Sequence, residues 1–596
     1  MTDSIFQPGL PSTTTLMTRW GTGGPKTANK VPTVLQYDNN GIHGAFSWGY
    51  KAQAANKRGV KIHEWFKLGL CNNFEGRRAQ ESELLAKYPS TTALAPVGGA
   101  DCEKLVVNFL TAVRQCVDDS LLGVDETVYN TPREYIITVP ALWDHAEQDK
   151  TRTCAQRAGI GAASKVQVIS EPEAAGIYAL DSMQRIGLQV GHTFVICDAG
   201  GGTVDLASYT IKAMSPSIQL AEADIGSGGL CGSIFLNRIF ENYIGRKMRG
   251  YPGVWNKSFL EEALEKFEQT IKPDFTGEEE NSEDYGIRIH GLKASPRHGV
   301  SENYLNFTVK ELREKVFDEV LTKVEGLVRD QIANTQRRAR VRAVLLAGGF
   351  GQNPYLQKKL RKIDLVMRDK IKIIQIENRH VPHQNDTAIV RGALIAGLTG
   401  QGRAGDNYHD DGGFNTITGG GGTRVVSRIA GRHYGTCAVY RDDGDKVEQM
   451  YWFVKAVRLR FYSLAQRALR RYIAQSTTNQ QKGESIANGR PTSFDFEKVS
   501  RVDSVRRGSI LWTVHIYASE EETPAEYKDS SVREIASFEL ELQKSDMSMV
   551  EINGVEFYQA IFKVEMTLHS ASLSFCGVYG HSPNERRFAP KKVRFV

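Results

Sequence analysis

The stretch VICDAGGGTVDLASY, from Val195 to Tyr209, decides the fold. An apolar, β-prone run from Thr193 to Cys197 delivers Asp198, three glycines follow at Gly200, Gly201 and Gly202, and a second strand-like run resumes after Asp205 and Leu206. The pattern predicts a hairpin with a bare tip. Glycine carries no Cβ and tolerates positive φ, so such a tip can aim consecutive backbone N–H groups at an anion. Asp198, Asp205 and the hydroxyl of Thr203 supply oxygens for the waters of a hard cation such as Mg²⁺. Phosphate together with Mg²⁺ points to a nucleotide. Taken alone, the glycine tripeptide reads equally well as an ordinary turn beside incidental aspartates.

Upstream, REYIITVPALW (Arg133 to Trp143) reads as a buried strand closed by Pro140, and Asp144 as the N-cap of a helix to Ala158 with Gly159 as its C-cap. VQVISEPEAAGIYAL gives a short strand and a helix opened by Pro172. Further back, VPTVLQY and AFSWGY flank an Asn39-Asn40-Gly41 turn, a hairpin signal, while the first thirty residues begin no obvious strand. Helical patterns occupy residues 82–87 and 103–122.

Downstream, ADIGSGGLCGSIFLNRIF (Ala223 to Phe240) reads as a glycine-rich loop entering a helix, whose N-terminus would offer unpaired N–H groups to a second set of phosphate oxygens. By itself that motif fits a flexible loop and helix cap better. A charged helix (257–272), a polar excursion (274–300) and a long helix (309–338) follow. VRAVLLAGGFGQNPYLQKKL then supplies a strand, a Gly348-Gly349 turn and a helix, and paired glycines let backbone lie flat against a base or ribose. A strand at IKIIQI and a helix from His383 to Leu398 complete a second strand-helix-strand-helix series. The chain before residue 400 therefore reads as an α/β protein of two related halves facing one cleft.

At 596 residues the chain exceeds a single core. Its net charge of +6 equals the six lysines and arginines between Lys455 and Arg471, a segment without an acid, so the remainder is neutral and general nucleic-acid affinity is not indicated. Eight cysteines are scattered without a CxxC pair, which predicts buried thiols in a reducing compartment. The sequence shows no signal-peptide pattern and no run of apolar residues long enough to span a membrane, so a cytoplasmic or nuclear location is expected.

After residue 400 the composition turns to QGRAGDNYHDDGGFNTITGGGGT, a flexible linker over 401–424. Strand-like alternation in ILWTVHIYAS, REIASFELEL, VEFYQAIFKVEMTLH and ASLSFCGVYG makes 425–596 a mostly β domain. The segment AVRLRFYSLAQRALRRYIAQSTTNQQ (456–481) places Val457, Phe461, Leu464 and Ala468 on one helical face ringed by arginines. It reads either as a membrane-surface or calmodulin-binding helix or as translated intron between WFVK and KGES, the latter being preferred.

The order VPTV, ITVPALW, SEPEAAG, DAGGGTVDLASY, GSGGLCG and AGGFGQNPYL resembles the nucleotide-binding domain of the seventy-kilodalton heat-shock proteins, in their divergent branch related to family A member twelve. The resemblance is strong over 14–400 and weak over 425–596. It implies an actin-like, ribonuclease-H-like ATPase fold of two lobes over 1–400, followed by a degenerate β-sandwich substrate-binding-like domain. It implies ATP or ADP and Mg²⁺ as ligands, slow hydrolysis to ADP and phosphate, and peptide or misfolded protein as client.

By the same resemblance Asp198 lies by the Mg²⁺ shell, Gly200, Gly201, Gly202 and Thr203 on the β- and γ-phosphates, and Asp205 on a metal-bound or attacking water. Glu171 reaches the metal waters or the hydrolytic water, and Lys67 in WFKLGL faces the γ-phosphate. Gly228 and Gly229 match a second phosphate loop, Gly348, Gly349 and Gln352 the adenosine loop, and Asp386 a residue behind that pocket. Glu268 and Lys272 match the pair closing over adenine, a match that Pro273 disturbs.

In that fold a first strand ends in an Asp-x-Gly-Thr-Thr hairpin opposite Asp198, and residues 1–16 carry no such motif; Thr13-Thr14-Thr15 lacks its aspartate and glycine. Each missing stabilising group costs about a hundredfold or more in rate. Either an upstream exon belongs to the gene, the favoured reading, or the protein is a weak or dead ATPase, a nucleotide-sensing scaffold. A sugar kinase on the same fold would need an acceptor pocket for which no motif is found.

Overall fold

A computed structural model describes residues 2–5, most of 13–398, most of 424–452, 485–487 and most of 491–595; within 13–398 the longest breaks are 71–83 and 377–386. Packing divides the chain into two compact units, one mainly of Met1–Trp143 and Lys150–Gln401, the other mainly of Asp144–Asp149 and Val425–Val596.

In the first unit, strands β1 (Thr2–Ile5) and β2 (Thr13–Leu16) pair antiparallel where no strand was expected, the β-branched run Thr13–Thr15 favouring extended backbone. Strands β3 (Val34–Tyr37) and β4 (Phe46–Trp48) form the expected hairpin, followed by helix α1 (Gly49–Lys57). With β5 (Ile62–Glu64) and β6 (Ala93–Leu94) they make a sheet of order β4-β3-β5-β6. Helix α2 (Gly99–Leu122) comes next. Parallel strands β7 (Tyr135–Val139) and β8 (Val166–Ser170) are joined through helix α3 (His145–Arg157), whose start, Asp144–Asp149, groups with the second unit. Asp144 caps α3 as expected: its Oδ1 accepts from the Ala146 and Glu147 amides, both at 3.1 Å, and Glu147 accepts the Asp144 amide at 3.0 Å.

Helix α4 (Glu171–Ser182) leads to β9 (Thr193–Ala199), β10 (Val204–Ala213) and β11 (Gln219–Gly229), then to helices α5 (Ile234–Lys247) and α6 (Lys257–Lys266). A π turn, Phe267–Ile271, carries α6 on to Lys272–Asp274. The widening falls just before Pro273, which has no N–H to offer an α-helical ladder. The expected polar excursion contains a small sheet of β12 (Tyr285–Arg288), β13 (Val300–Ser301) and β14 (Tyr304–Phe307). Helix α7 (Asp318–Thr335), strand β15 (Val341–Ala347), helices α8 (Pro354–Arg361) and α9 (Asp364–Asp369), strand β16 (Lys372–Gln375) and helix α10 (Ala388–Leu398) complete the unit.

Its main sheet runs β16-β15-β9-β10-β11, with β16, β15 and β9 parallel and β10 antiparallel to both neighbours. Every residue of β9 is buried, as expected of a strand covered on both faces. Beside this sheet Phe240 stacks on Phe267 and Phe275 on Phe317, both pairs with centroids 4.1 Å apart. The carboxyl ends of the parallel strands bring Asp198 and Gly348 to one edge, the edge at which open α/β sheets bind ligands.

The second unit is mostly β. Strands β17 (Arg424–Ile429), β18 (His433–Asp442), β19 (Asp445–Trp452), β20 (Ser485–Ala487) and β21 (Pro491–Arg501) precede β22 (Ser509–Ser519), β23 (Val532–Gln543), β24 (Ser548–Ile552) and β25 (Val555–Leu568). Strands β26 (Leu573–Tyr579), β27 (Arg586–Phe588) and β28 (Lys592–Phe595) end it. Two sheets, β19-β18-β22-β23-β28 and β21-β25-β26-β27, enclose one core of Val514, Ile516, Phe538, Phe562, Val564 and Phe575. Phe538 and Phe575 stack across it with centroids 4.7 Å apart. The basic insert 456–481 and all but the last residue of the linker 401–424 lie outside the described residues.

Cys102, Cys154, Cys197 and Cys231 are free and buried. Burial pushes the Cys154 thiol up to about 11 and those of Cys102 and Cys231 up to about 12, which leaves them inert near neutral pH. Among the described residues no helix is long and apolar enough to cross a membrane.

Candidate functional site

Strands β9 and β10 form the hairpin predicted from Val195 to Tyr209, with Asp198 and Asp205 directly opposite each other in register. The Gly200 amide donates to the Thr203 carbonyl at 3.0 Å and closes the turn. The tip is held from behind: the carbonyls of Gly200, Gly201 and Gly202 accept from the amides of Ser233, Ile234 and Gly232 at 3.1, 3.0 and 3.1 Å. Among the described residues none accepts from the Gly201 or Gly202 amide. A Cβ on either glycine would meet nothing within 4 Å. With its carbonyls anchored and its amides unclaimed, the tip is a polarised nest suited to an anion.

The anchoring corrects one expectation. The amides at the start of α5 are not open to a ligand, since those of Cys231 through Leu236 all donate within the protein. Gly228 and Gly229 lie in strand β11, opposite Asp205 and Val204, rather than in a loop. The glycine that shapes the approach is Gly232, whose Cβ would overlap the Gly201 carbonyl. Its signal in the sequence is the fourth and last glycine of GSGGLCG.

Three carboxylates gather below the tip. Asp198 is 3% and Asp205 0% exposed, and Oδ1 of Asp198 and both oxygens of Asp205 accept no hydrogen bond. The Thr203 hydroxyl and the Leu142 amide favour the Asp205 carboxylate from nearby, short of hydrogen-bond geometry. Burial first, and then the charges of Glu171 and of each other, hold the Asp198 carboxyl well above the usual carboxylate range; burial and Glu171 do the same for Asp205. Lys67 and Lys30 oppose the shift at Asp198. Lys30 was not singled out from the sequence.

Glu171 opens α4, and its Oε1 accepts from Lys67 Nζ at 2.7 Å. Lys67 begins a tight turn, with the Leu70 amide donating to its carbonyl at 3.2 Å, and its ammonium lies 5.4 Å from the centroid of the Trp143 ring. Four of the residues singled out for catalysis, Lys67, Glu171, Asp198 and Asp205, thus converge. Among the described residues no group of three or more His, Cys, Asp or Glu side chains is arranged to hold a metal directly. The orphaned, buried oxygens of Asp198 and Asp205 do fit the water shell of a hard cation.

A second cluster adjoins the first through Gly348. This residue takes φ 76°, and a Cβ there would overlap the Ala199 carbonyl and fall 2.7 Å from Asp198 Oδ1. Gly349 and Gln352 continue that turn, and Asn353 caps α8 by accepting from the Leu356 amide at 2.8 Å. Asn353 Nδ2 donates to the Lys272 carbonyl at 2.8 Å, which sets the Glu268–Lys272 ion pair beside the Gly348–Gln352 turn. Burial draws the Lys272 ammonium down, partly countered by Glu268. Glu268 also accepts from Asn237 on α5. Asp386 lies outside the described residues.

A family model described as Hsp70 protein matches residues 101–400. The chain is similar to heat shock 70 kDa protein 12B of Homo sapiens, 23% identical over 469 residues that cover 65% of each chain. It is similar to heat shock 70 kDa protein 12A of Mus musculus, 23% identical over 472 residues, 64% of this chain and 65% of the relative. Chaperone protein HscA homolog of Chromobacterium violaceum is 24% identical over 338 residues, 55% of this chain and 48% of its own. The chain thus spans about 65% of the length of the first two relatives.

Proposed function

The chain belongs to the Hsp70 family, in a divergent branch related to the heat shock 70 kDa proteins 12A and 12B, and from that premise we propose that its first unit binds Mg²⁺-ATP and hydrolyses it slowly to ADP and phosphate in a chaperone-type cycle. The observation that carries this reading is the hairpin tip, its carbonyls bound behind and its Gly201 and Gly202 amides unclaimed in front, above three buried oxygens of Asp198 and Asp205 that accept no hydrogen bond.

In this reading the Gly201 and Gly202 amides and Thr203 take the β- and γ-phosphate oxygens, the Gly200 amide closing the turn onto the Thr203 carbonyl, with Gly228 and Gly229 backing them. Asp198, Asp205 and Glu171 hold the water shell of Mg²⁺, which when bound neutralises phosphate charge. Glu171 and Asp205 orient the attacking water, and Lys67 offers its ammonium to the γ-phosphate. Placing groups where charge develops is most of what phosphoryl transfer asks of a protein. Glu268, Lys272, Gly348, Gly349 and Gln352 enclose the nucleoside, with Asp386 behind it. The second unit takes unfolded protein or peptide as client, and the protein works in the cytoplasm or nucleus.

Isothermal titration of the full chain with Mg²⁺-ATP, paired with single-turnover phosphate release, tests the proposal. Binding with release that falls in Asp198→Asn and Glu171→Gln supports it. Binding without release leaves a nucleotide-sensing scaffold, and absence of binding sinks both readings.

A further inference from the structure

Trp65, two residues before Lys67, has φ 62°, a conformation that bulky side chains rarely adopt. Strained backbone persists only where its surroundings over-determine it. Here they do so through α5. The Arg238 guanidinium lies 4.7 Å from the centroid of the Trp65 ring and the Phe235 ring centroid 5.7 Å from it. The same guanidinium donates to Glu64 Oε1 and stands 3.8 Å from Glu241 Oε2. Arg238 is 7% exposed and the side chain of Glu241 8%, so one cation serves two largely desolvated carboxylates and an aromatic face.

The placement of Arg238 gives this cluster a use. It sits four residues beyond Ile234, whose amide, with those of Gly232 and Ser233, holds the hairpin tip by its carbonyls. On the other side, the Trp65 carbonyl accepts the Leu68 amide at 2.9 Å and so begins the turn that carries Lys67. One helix therefore grips both the phosphate tip and the lysine segment. A hydrophobic contact would join the two sides equally well without strain at Trp65; a planar, charged clamp fixes orientation as well as distance.

We propose that Arg238 is a positioning residue that, by clamping Glu64 and Trp65, fixes Lys67 against Glu171 in register with the hairpin tip. The inference deepens the ATPase reading above and rests on it for its consequence in rate. A displacement of order 1 Å at a reacting group costs about a hundredfold.

The test uses the full chain with Arg238→Met and Trp65→Gly, the second of which keeps the positive φ without strain. Amide hydrogen exchange in nucleotide-free protein is expected to rise at least roughly tenfold over Lys67–Leu70 in both variants, with the Gly200 amide unchanged, as a local opening predicts. Unchanged exchange at Lys67–Leu70 overturns the proposal. Single-turnover rates are expected to fall about 10- to 100-fold in Arg238→Met. ATP affinity should stay within about threefold, and the double variant Arg238→Met/Lys67→Met should be no slower than Lys67→Met alone. Additive losses also overturn it. If the chain neither binds nor hydrolyses ATP, the ATPase reading falls and the exchange result alone decides the clamp. Should Arg238→Met fail to fold, Arg238→Lys, which keeps the charge and loses the fork and the stack, takes its place with the same outcomes.

Discussion

Lys67 Nζ lies 2.7 Å from Glu171 Oε1, an ion pair between groups 104 residues apart whose lysine side chain is 41% exposed. Exposed pairs of this kind stabilise a fold by about 0–1 kcal/mol, so stability does not account for the arrangement. Lys67→Met should leave the denaturation midpoint nearly unchanged and lower the single-turnover rate about a hundredfold. Chemical denaturation and rapid-quench measurements on the same preparation check this. A large stability loss with an intact rate would assign the pair a structural role.

Asp198 and Asp205 face each other with three buried oxygens that accept no hydrogen bond. Their folded pKa values are raised, so over the range between the ordinary carboxylate value and the folded one the native state binds more protons than the unfolded chain. Stability therefore falls as pH rises through that window. Asp205→Asn removes the charge and keeps the shape. It should melt higher than wild type near pH 8, the gap closing towards pH 4, while losing ATP turnover. Melting curves across this range without Mg²⁺ or nucleotide supply the check, and equal slopes with pH would refute it.

The hairpin, the Asp144 cap and the strand-helix-strand-helix series could be read from the sequence because each rests on local chemistry: glycine freedom, an acid three residues ahead of its capped turn, and apolar runs of strand length. The convergence of Lys67 and Glu171 entered through a family resemblance, since nothing local joins residues 104 apart. What escaped is tertiary. Local sequence does not say that the amides of residues 232–234 turn back onto the hairpin tip, that Arg238 lies over Trp65, or that Lys30 lies near Asp198. Helix α1 was missed because its short sequence, GYKAQAANK, has little apolar periodicity.

Three glycines of the site should respond differently to the same added methyl group. At Gly232 it would overlap the Gly201 carbonyl, and at Gly348 the Ala199 carbonyl, the latter also at a positive φ of 76°. Gly232→Ala and Gly348→Ala should each lose about 1–3 kcal/mol, as overpacked or strained sites do. Gly201→Ala adds its methyl to open space. It should keep wild-type stability within about 0.5 kcal/mol yet lose ATP affinity, because the methyl sits on the nest. Urea midpoints and titration calorimetry separate the classes, and a destabilised Gly201→Ala would contradict the anchored-tip geometry.

His145 opens α3 within the second unit, where its Nε2 lies 3.1 Å from the Tyr434 hydroxyl and its Nδ1 3.3 Å from Gln148 Oε1. Burial, then the Arg432 charge, lowers its pKa from 6.5 to about 4. Above the unfolded value the ring is neutral in both states and the full stability is present. Between 6.5 and about 4 the unfolded chain takes up the proton first, so stability declines as pH falls through that window and levels off below it. His145→Asn keeps a polar group at the position and removes the titration. The urea midpoint of the second unit's transition should therefore decline less between pH 7 and pH 4 in this variant than in wild type. An identical decline in both proteins would place the acid sensitivity in other groups.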